Sequence, residues 1–214
     1  MATNIGIVLF PDAEELDWAG PFEVFGMAAA LLGDRELQNQ PISDAEREAA
    51  ELRVFTVAQT HEPVRCRKGL TVVPEYDFSD APALDVVCVP GGQGTRTEVD
   101  NPVLIDWLRK VGADCLWVTS VCTGALLLHE AGFAKGKRVI THWAFTQALR
   151  ERGDVEVLEQ RRYVRDGNLL TAAGVSAGTD MALWLVGQLR TPDFARMVQR
   201  AMEYDPAPPY TAEV

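Results

Sequence analysis

No two of the four cysteines form a CxxC pair, and none of the three histidines lies at metal-ligand spacing from them. The chain therefore offers no zinc framework, and no metal is expected. It also lacks the glycine fingerprint GxGxxG. Its nearest phosphate-loop look-alike, "GGQGTR" at 91–96, has no G-K-[ST] ending. No apolar run nears the roughly 18 residues that span a bilayer. The start, "MATNIGIVLF", has no basic region, and its apolar run is too short for a secretory signal. Positive charge is scarce: 20 Lys and Arg face 31 Asp and Glu, a formal net charge of -11. Such a surface repels phosphate backbones, so nucleic acid is not expected as a direct partner. These absences point to a cytoplasmic protein, with no membrane association and with reduced thiols.

What is present is ordinary globular material. Of the 214 residues 47% are hydrophobic and 24% charged, which suits one domain over 1–214 with a sizeable core. Apolar runs of strand length alternate with helical patterns. "NIGIVLF" (4–10), "LRVFTVAQ" (52–59), "LDVVCVPGG" (84–92) and "CLWVTSV" (115–121) read as buried strands. "LTVVPEYDF" (70–78) is a strand or hairpin arm weakened by Pro74, and 138–143 begins as a strand. "RYVRDGNLLTAAG" (162–174) reads as a hairpin about Asp166-Gly167. Helical patterns cover 20–32, with Pro21 in a first turn, and then 101–113, 123–133, 144–153, 176–190 and 192–204. This alternation predicts a parallel sheet covered by helices on both faces. Residues 34–51 stand apart as a polar, mostly acidic segment. Ser43 and Glu46 fit a capping box there, and the segment reads as a solvated surface insertion or a lid. Residues 205–214 read as an extended Pro-rich tail.

In an open parallel sheet, ligands bind where strands end. Asp17 follows the first strand, Gly91 and Gly92 follow "LDVVCV", and Cys122 follows "CLWVTSV". Cys122 sits on a strand-to-helix turn, with Gly124 suited to its crowding, as in a nucleophile elbow. A helix N-terminus favours the thiolate and lowers its pKa. The Thr123 N–H and an N–H of the Pro90-Gly91-Gly92 turn suit a developing anion. A buried structural cysteine is the alternative. Asp17, between Leu16 and Trp18 just before the helix start, is either an acid–base group with a pKa raised by burial or a helix-terminal acid. His142 is either the base of a Cys–His pair, with Asp180 among the groups left to orient it, or a pocket residue. Trp18, Trp143 and Phe145 line an apolar pocket or pack as core.

The stretches "ELDWAGPFEVF", "DVVCVPGG", "VTSVCTGALLLHEAGFAKGKRVITHWA", "VRDGNLLTAAGVSAGTDMAL" and "EYDPAPPY" together resemble the DJ-1/PfpI superfamily, and within it the isocyanide hydratase branch. The resemblance spans the chain except 34–51. It implies a flavodoxin-like α/β fold and a two-fold homodimer, with no cofactor. It implies Cys122 as nucleophile, Asp17 as acid–base partner, and the Thr123 and Gly92 N–H groups as the anion-stabilising pair. Gly91, Gly92, Trp18, His142 and Trp143 would then line the substrate site. Other branches carry Glu where this chain has Asp17, and the shorter acid favours hydration of a small-molecule isocyanide to an N-substituted formamide through a cysteine thioimidate. Rival expectations are a glyoxalase-, deglycase- or amidase-like enzyme using the same cysteine, or a redox or ligand sensor. An AraC-type regulator would need a basic DNA-binding extension, which an acidic chain ending at Val214 does not suggest.

Overall fold

The computed structural model describes residues 2–33 and 51–207. The predicted insertion at 34–51, with its Ser43–Glu46 capping box, lies outside the described residues except for Glu51, as does the tail beyond residue 207.

Branched apolar runs become the centre of a seven-stranded sheet in the order β10-β11-β7-β6-β1-β2-β5. The strands are β1 (Thr3–Val8), β2 (Leu52–Ala58), β5 (Tyr76–Asp77), β6 (Val86–Val89), β7 (Trp117–Val121), β10 (Tyr163–Asp166) and β11 (Leu169–Ala172). All neighbours run parallel except the predicted hairpin, in which Tyr163 opposes Ala172 and Asp166 opposes Leu169. Ile5, Ile7, Val86, Val87, Val89 and Leu170 are fully enclosed. Each such side chain contributes on the order of 1.5–3 kcal/mol through burial. That two-sided burial is why these strands read as continuous apolar runs rather than alternating ones.

Helices cover the sheet in two sets. α1 (Glu15–Gly33) packs with α6 (Ala177–Leu189) and α7 (Pro192–Ala201). α2 (Thr95–Glu98), α3 (Pro102–Asp114) and α4 (Gly124–Glu130) form the other set, and α5 (Thr146–Arg150) follows later. The Asn101 side chain caps α3 by accepting from Val103 N–H and Leu104 N–H, with Pro102 in the first turn as its fixed φ favours. Among the described residues no helix is long and apolar enough to cross a membrane.

Several expectations need correction. α1 begins at Glu15, so Pro21 lies inside it and Asp17 falls in its first turn rather than ahead of it. The cause is upstream: Ala13 bridges Gly92 and the Glu14 N–H donates to Gly91 O, so the chain turns into helix early. The run 70–78 splits at Pro74. β4 (Thr71–Val72) pairs antiparallel with β3 (Val64–Arg65), while β5 joins the main sheet beside β2. The predicted strand 138–143 shrinks to β8 (Arg138–Val139), which pairs with the unpredicted β9 (Glu156–Val157) in a separate two-stranded sheet. The helix expected from 144 begins as a 3-10 turn over Trp143–Phe145.

β7, β6 and β1 are sheet neighbours, and their ends are nearly level, with Cys88 opposite both Ile7 and Thr119. The three strand ends singled out in the sequence thus open side by side, at the carboxyl ends of the sheet's central strands.

Candidate active site

Cys122 is the first residue after β7, and its φ of 56° lies in the left-handed region. A non-glycine residue there costs on the order of 1–3 kcal/mol. The surroundings hold it in place: the Cys122 N–H donates to Ala172 O and Ala173 O, both at 3.1 Å, and its carbonyl accepts the Thr141 hydroxyl at 2.8 Å. Gly124 follows because a side chain there would run into the carbonyl oxygens of Val89 and Pro90. The strand–cysteine–helix elbow expected from sequence is therefore present. The thiol is buried, with the residue 6% exposed.

Asp17 approaches from the first turn of α1 and is fully buried. Its Oδ2 accepts the Gly91 N–H at 2.9 Å, while Oδ1 has no hydrogen-bond partner among the described residues. Glycine is required at 91 because a Cβ would lie 2.5 Å from the Thr123 nitrogen and 2.9 Å from Asp17 Oδ2. Gly92 adopts a φ of 121°, open to glycine but strained for other residues. Its N–H donates to Thr123 Oγ1 at 3.1 Å, and the same hydroxyl contacts Thr95 Oγ1 at 3.1 Å. Here the structure departs from the expected anion-binding pair. The Gly92 N–H is taken up by the Thr123 side chain, and it is the N–H and hydroxyl of Thr123 that favour charge on the Cys122 sulfur. Thr123 thus serves through its hydroxyl as well as its N–H, and Thr95 and Thr141 join the site. Neither of those two had a sequence signal, since each acts through a fold-dependent contact.

Electrostatics reverse one expectation. Burial, and then the Asp17 charge, push the Cys122 thiol up to about 12, against the smaller favourable pull of Thr123. A seven-residue helix cannot offset a desolvated thiolate beside a carboxylate. Burial also raises Asp17 to about 7, opposed by the Gly91 N–H and assisted by the Glu14 charge. The two groups lie close enough to shift one another through a thiol-to-carboxyl interaction. The two groups disfavour each other's ionisation, so the pair resists carrying two negative charges at once.

His142 does not pair with Cys122: among the described residues it makes no hydrogen bond to either Cys122 or Asp17. Its Nδ1 accepts the Ala144 N–H at 3.2 Å, capping the 3-10 turn. Burial and Arg96 keep its pKa below the usual histidine value. Asp180, considered as its orienting acid, is held instead by Arg162 at 2.5 Å and the Tyr204 hydroxyl at 2.8 Å. Trp143 is 77% exposed beside His142, while Trp18 is buried. The aromatic residues therefore do not gather into one apolar wall. Among the described residues His61, Asp77 at the end of β5, and Asp80 bring metal-ligating atoms together.

Known proteins share this architecture. The family model for the DJ-1/PfpI family matches residues 3–188. The isonitrile hydratase of Pseudomonas putida is 40% identical over 210 residues, covering 98% of this chain and 82% of that protein. The transcriptional regulator CdhR of Pseudomonas aeruginosa is 28% identical over 83% of this chain but only 50% of its own length. A ThiJ/PfpI family crystal structure from Pseudomonas syringae superposes with a TM-score of 0.84 at 31% identity, covering 100% of this chain and 80% of that one. With its cysteine elbow, its mostly parallel sheet and a family match across most of its length, the chain belongs to the DJ-1/PfpI family.

Proposed function

We propose that this protein is an isocyanide hydratase-like hydro-lyase, converting a small-molecule isocyanide to an N-substituted formamide without a cofactor. The observation that carries the reading is the buried pair of Asp17, in the first turn of α1, and Cys122, just after β7, in a chain 40% identical to an isonitrile hydratase.

An isocyanide carbon is electrophilic and can also accept a proton. The Asp17 carboxylate takes the Cys122 thiol proton as sulfur bonds to that carbon. Asp17 then returns the proton to the same carbon, leaving the neutral thioimidate Cys–S–CH=N–R. Asp17, ionised again, takes a proton from water as the water oxygen bonds to the carbon, and passes that proton to nitrogen. The C–S bond breaks, the hydroxyl proton returns to sulfur through Asp17, and R–NH–CHO leaves. The balance is R–NC + H2O → R–NHCHO. A carboxyl with a pKa about 7 suits both proton directions near neutrality. The Thr123 N–H steadies charge on sulfur as it develops. No histidine is needed, which agrees with the isolation of His142.

The glyoxalase-, deglycase- and amidase-like alternatives use the same cysteine, so the test is direct. Formamide formation from a panel of aryl and alkyl isocyanides, followed by chromatography, should be catalytic for wild type. Absence of turnover across the panel would overturn the reading. A cytoplasmic homodimer completes the proposal, and sedimentation at equilibrium tests the dimer.

A further inference from the structure

Three carboxylates fall within four residues at the start of α1: Glu14, Glu15 and Asp17. Glu14 and Glu15 are largely enclosed, with side chains 17% and 18% exposed. Oε2 of Glu15 is buried without a hydrogen-bond partner among the described residues. Crowded acids at a helix start gain from its dipole, but they repel each other and resist burial.

One residue answers both glutamates. The Lys68 ammonium pairs with Glu14 and lies 3.9 Å from Glu15 Oε2, and its backbone N–H donates to Glu15 Oε1 at 2.6 Å. Lys68 occupies the tip between β3 and β4, a tip closed by Cys66 N–H to Leu70 O at 2.7 Å. That hairpin is fastened to the segment ahead of α1 at two points. The Asp12 N–H donates to Arg65 O, and the Arg67 N–H donates to Ala13 O, both at 2.9 Å. The segment is tied in turn to the Gly91–Gly92 turn, through Glu14 N–H to Gly91 O and the Ala13–Gly92 bridge. The Gly91 N–H holds Asp17. A continuous chain of contacts therefore runs from Lys68 to the carboxyl beside Cys122.

We propose that Lys68 is a positioning residue of the reaction, resting on the hydratase reading: it clamps the acidic entry of α1 and neutralises the charge that Asp17 feels. The charged and titratable groups facing Asp17 are Glu14 from the segment before α1, Lys68 from the β3–β4 tip, Cys122 after β7 and Cys88 in β6. Of these only Lys68 favours the ionised carboxyl by its charge, while Glu14 opposes it. His142 also senses Glu14, together with Arg96. Lys68 is 65% exposed, so its field is partly screened and its effect is modest.

The test is the pH profile of kcat/KM for wild type, Lys68→Met, Lys68→Arg and Glu14→Gln. Asp17 must be ionised to take the thiol proton, so the rate climbs as that carboxyl deprotonates. Lys68→Met should move the acidic limb to higher pH, lowering the rate by about threefold to tenfold near pH 6 and little near pH 9. Glu14→Gln should move it the opposite way, and Lys68→Arg should follow wild type. High salt should shrink the difference between wild type and Lys68→Met. Identical profiles, or an equal loss at every pH, would overturn the proposal. Alkylation of Cys122 by iodoacetamide, followed by intact mass against pH, reads the same inflection without any isocyanide. If wild type shows no turnover the hydratase reading fails; if the alkylation inflection ignores Lys68 the clamp fails.

Discussion

Two acid-containing pairs flank α4, and they behave oppositely. At its start, Asp17 sits beside Cys122, fully buried, with one oxygen unbonded and its pKa raised to about 7 by desolvation. At its last turn, His129 Nε2 meets Asp154 Oδ1 at 2.5 Å, and that hydrogen bond holds Asp154 below the usual carboxylate range. The Asp154 side chain is 44% exposed. The same residue type is pushed up at one end and pulled down at the other. What separates them is solvent and a committed partner. A carboxylate that keeps water and gains a donor becomes a structural anchor, whereas one stripped of water and left half-bonded is ready to exchange a proton.

Breaking the buried pair should have the largest effect. Cys122→Ala should lower isocyanide hydration by on the order of 10^4 or more, and Asp17→Asn by about 10^2–10^4. Quantified formamide release checks both, and full activity in Cys122→Ala would end the covalent mechanism. Next comes stability. Asp17 moves from 3.8 to about 7 on folding, so its contribution is intact below 3.8 and is lost as pH rises through about 7. Asp17→Asn should therefore stabilise the fold near pH 8 relative to pH 4, by an amount bounded at roughly 4 kcal/mol. Asp154 has the opposite sign: its contribution holds at neutral pH and fades as pH falls through its lowered pKa. Asp154→Asn should thus lower the melting temperature at neutral pH and matter least in acid. Denaturant melts at several pH values compare the two variants, and parallel pH curves would remove the contrast. Gly91→Ala should be milder, costing about 1–3 kcal/mol through the clash with Thr123 and Asp17, with a fall in kcat exceeding any change in KM. The smallest effect is expected from His142→Gln, which should keep kcat within about threefold, because the 10^2-fold or larger penalty of losing a general base does not apply.

Much of the frame was legible because two-sided burial writes itself into β1, β6 and β7 as unbroken apolar runs. Cys122, Asp17 and the Gly91–Gly92 turn were recognisable because each falls where such a run stops. What stayed hidden depended on through-space contacts. The early start of α1 is set by the Glu14–Gly91 bond, which no local pattern encodes, so Pro21 misled. β8 and β9 are two residues each, too short for periodicity. The direction of the thiol's shift needed the depth of burial and the neighbour across the sheet, whereas the local rule for helix starts points the other way.

The left-handed backbone of Cys122 also has a consequence for biosynthesis. Its N–H is bonded by Ala172 and Ala173, which leave the ribosome well after it, and its carbonyl by Thr141. Until β11 docks beside β7 the two N–H bonds that hold that conformation are missing, and the left-handed geometry is disfavoured. The reactive elbow is thus assembled late, and a truncated or half-made chain carries the thiol without the posture that arms it.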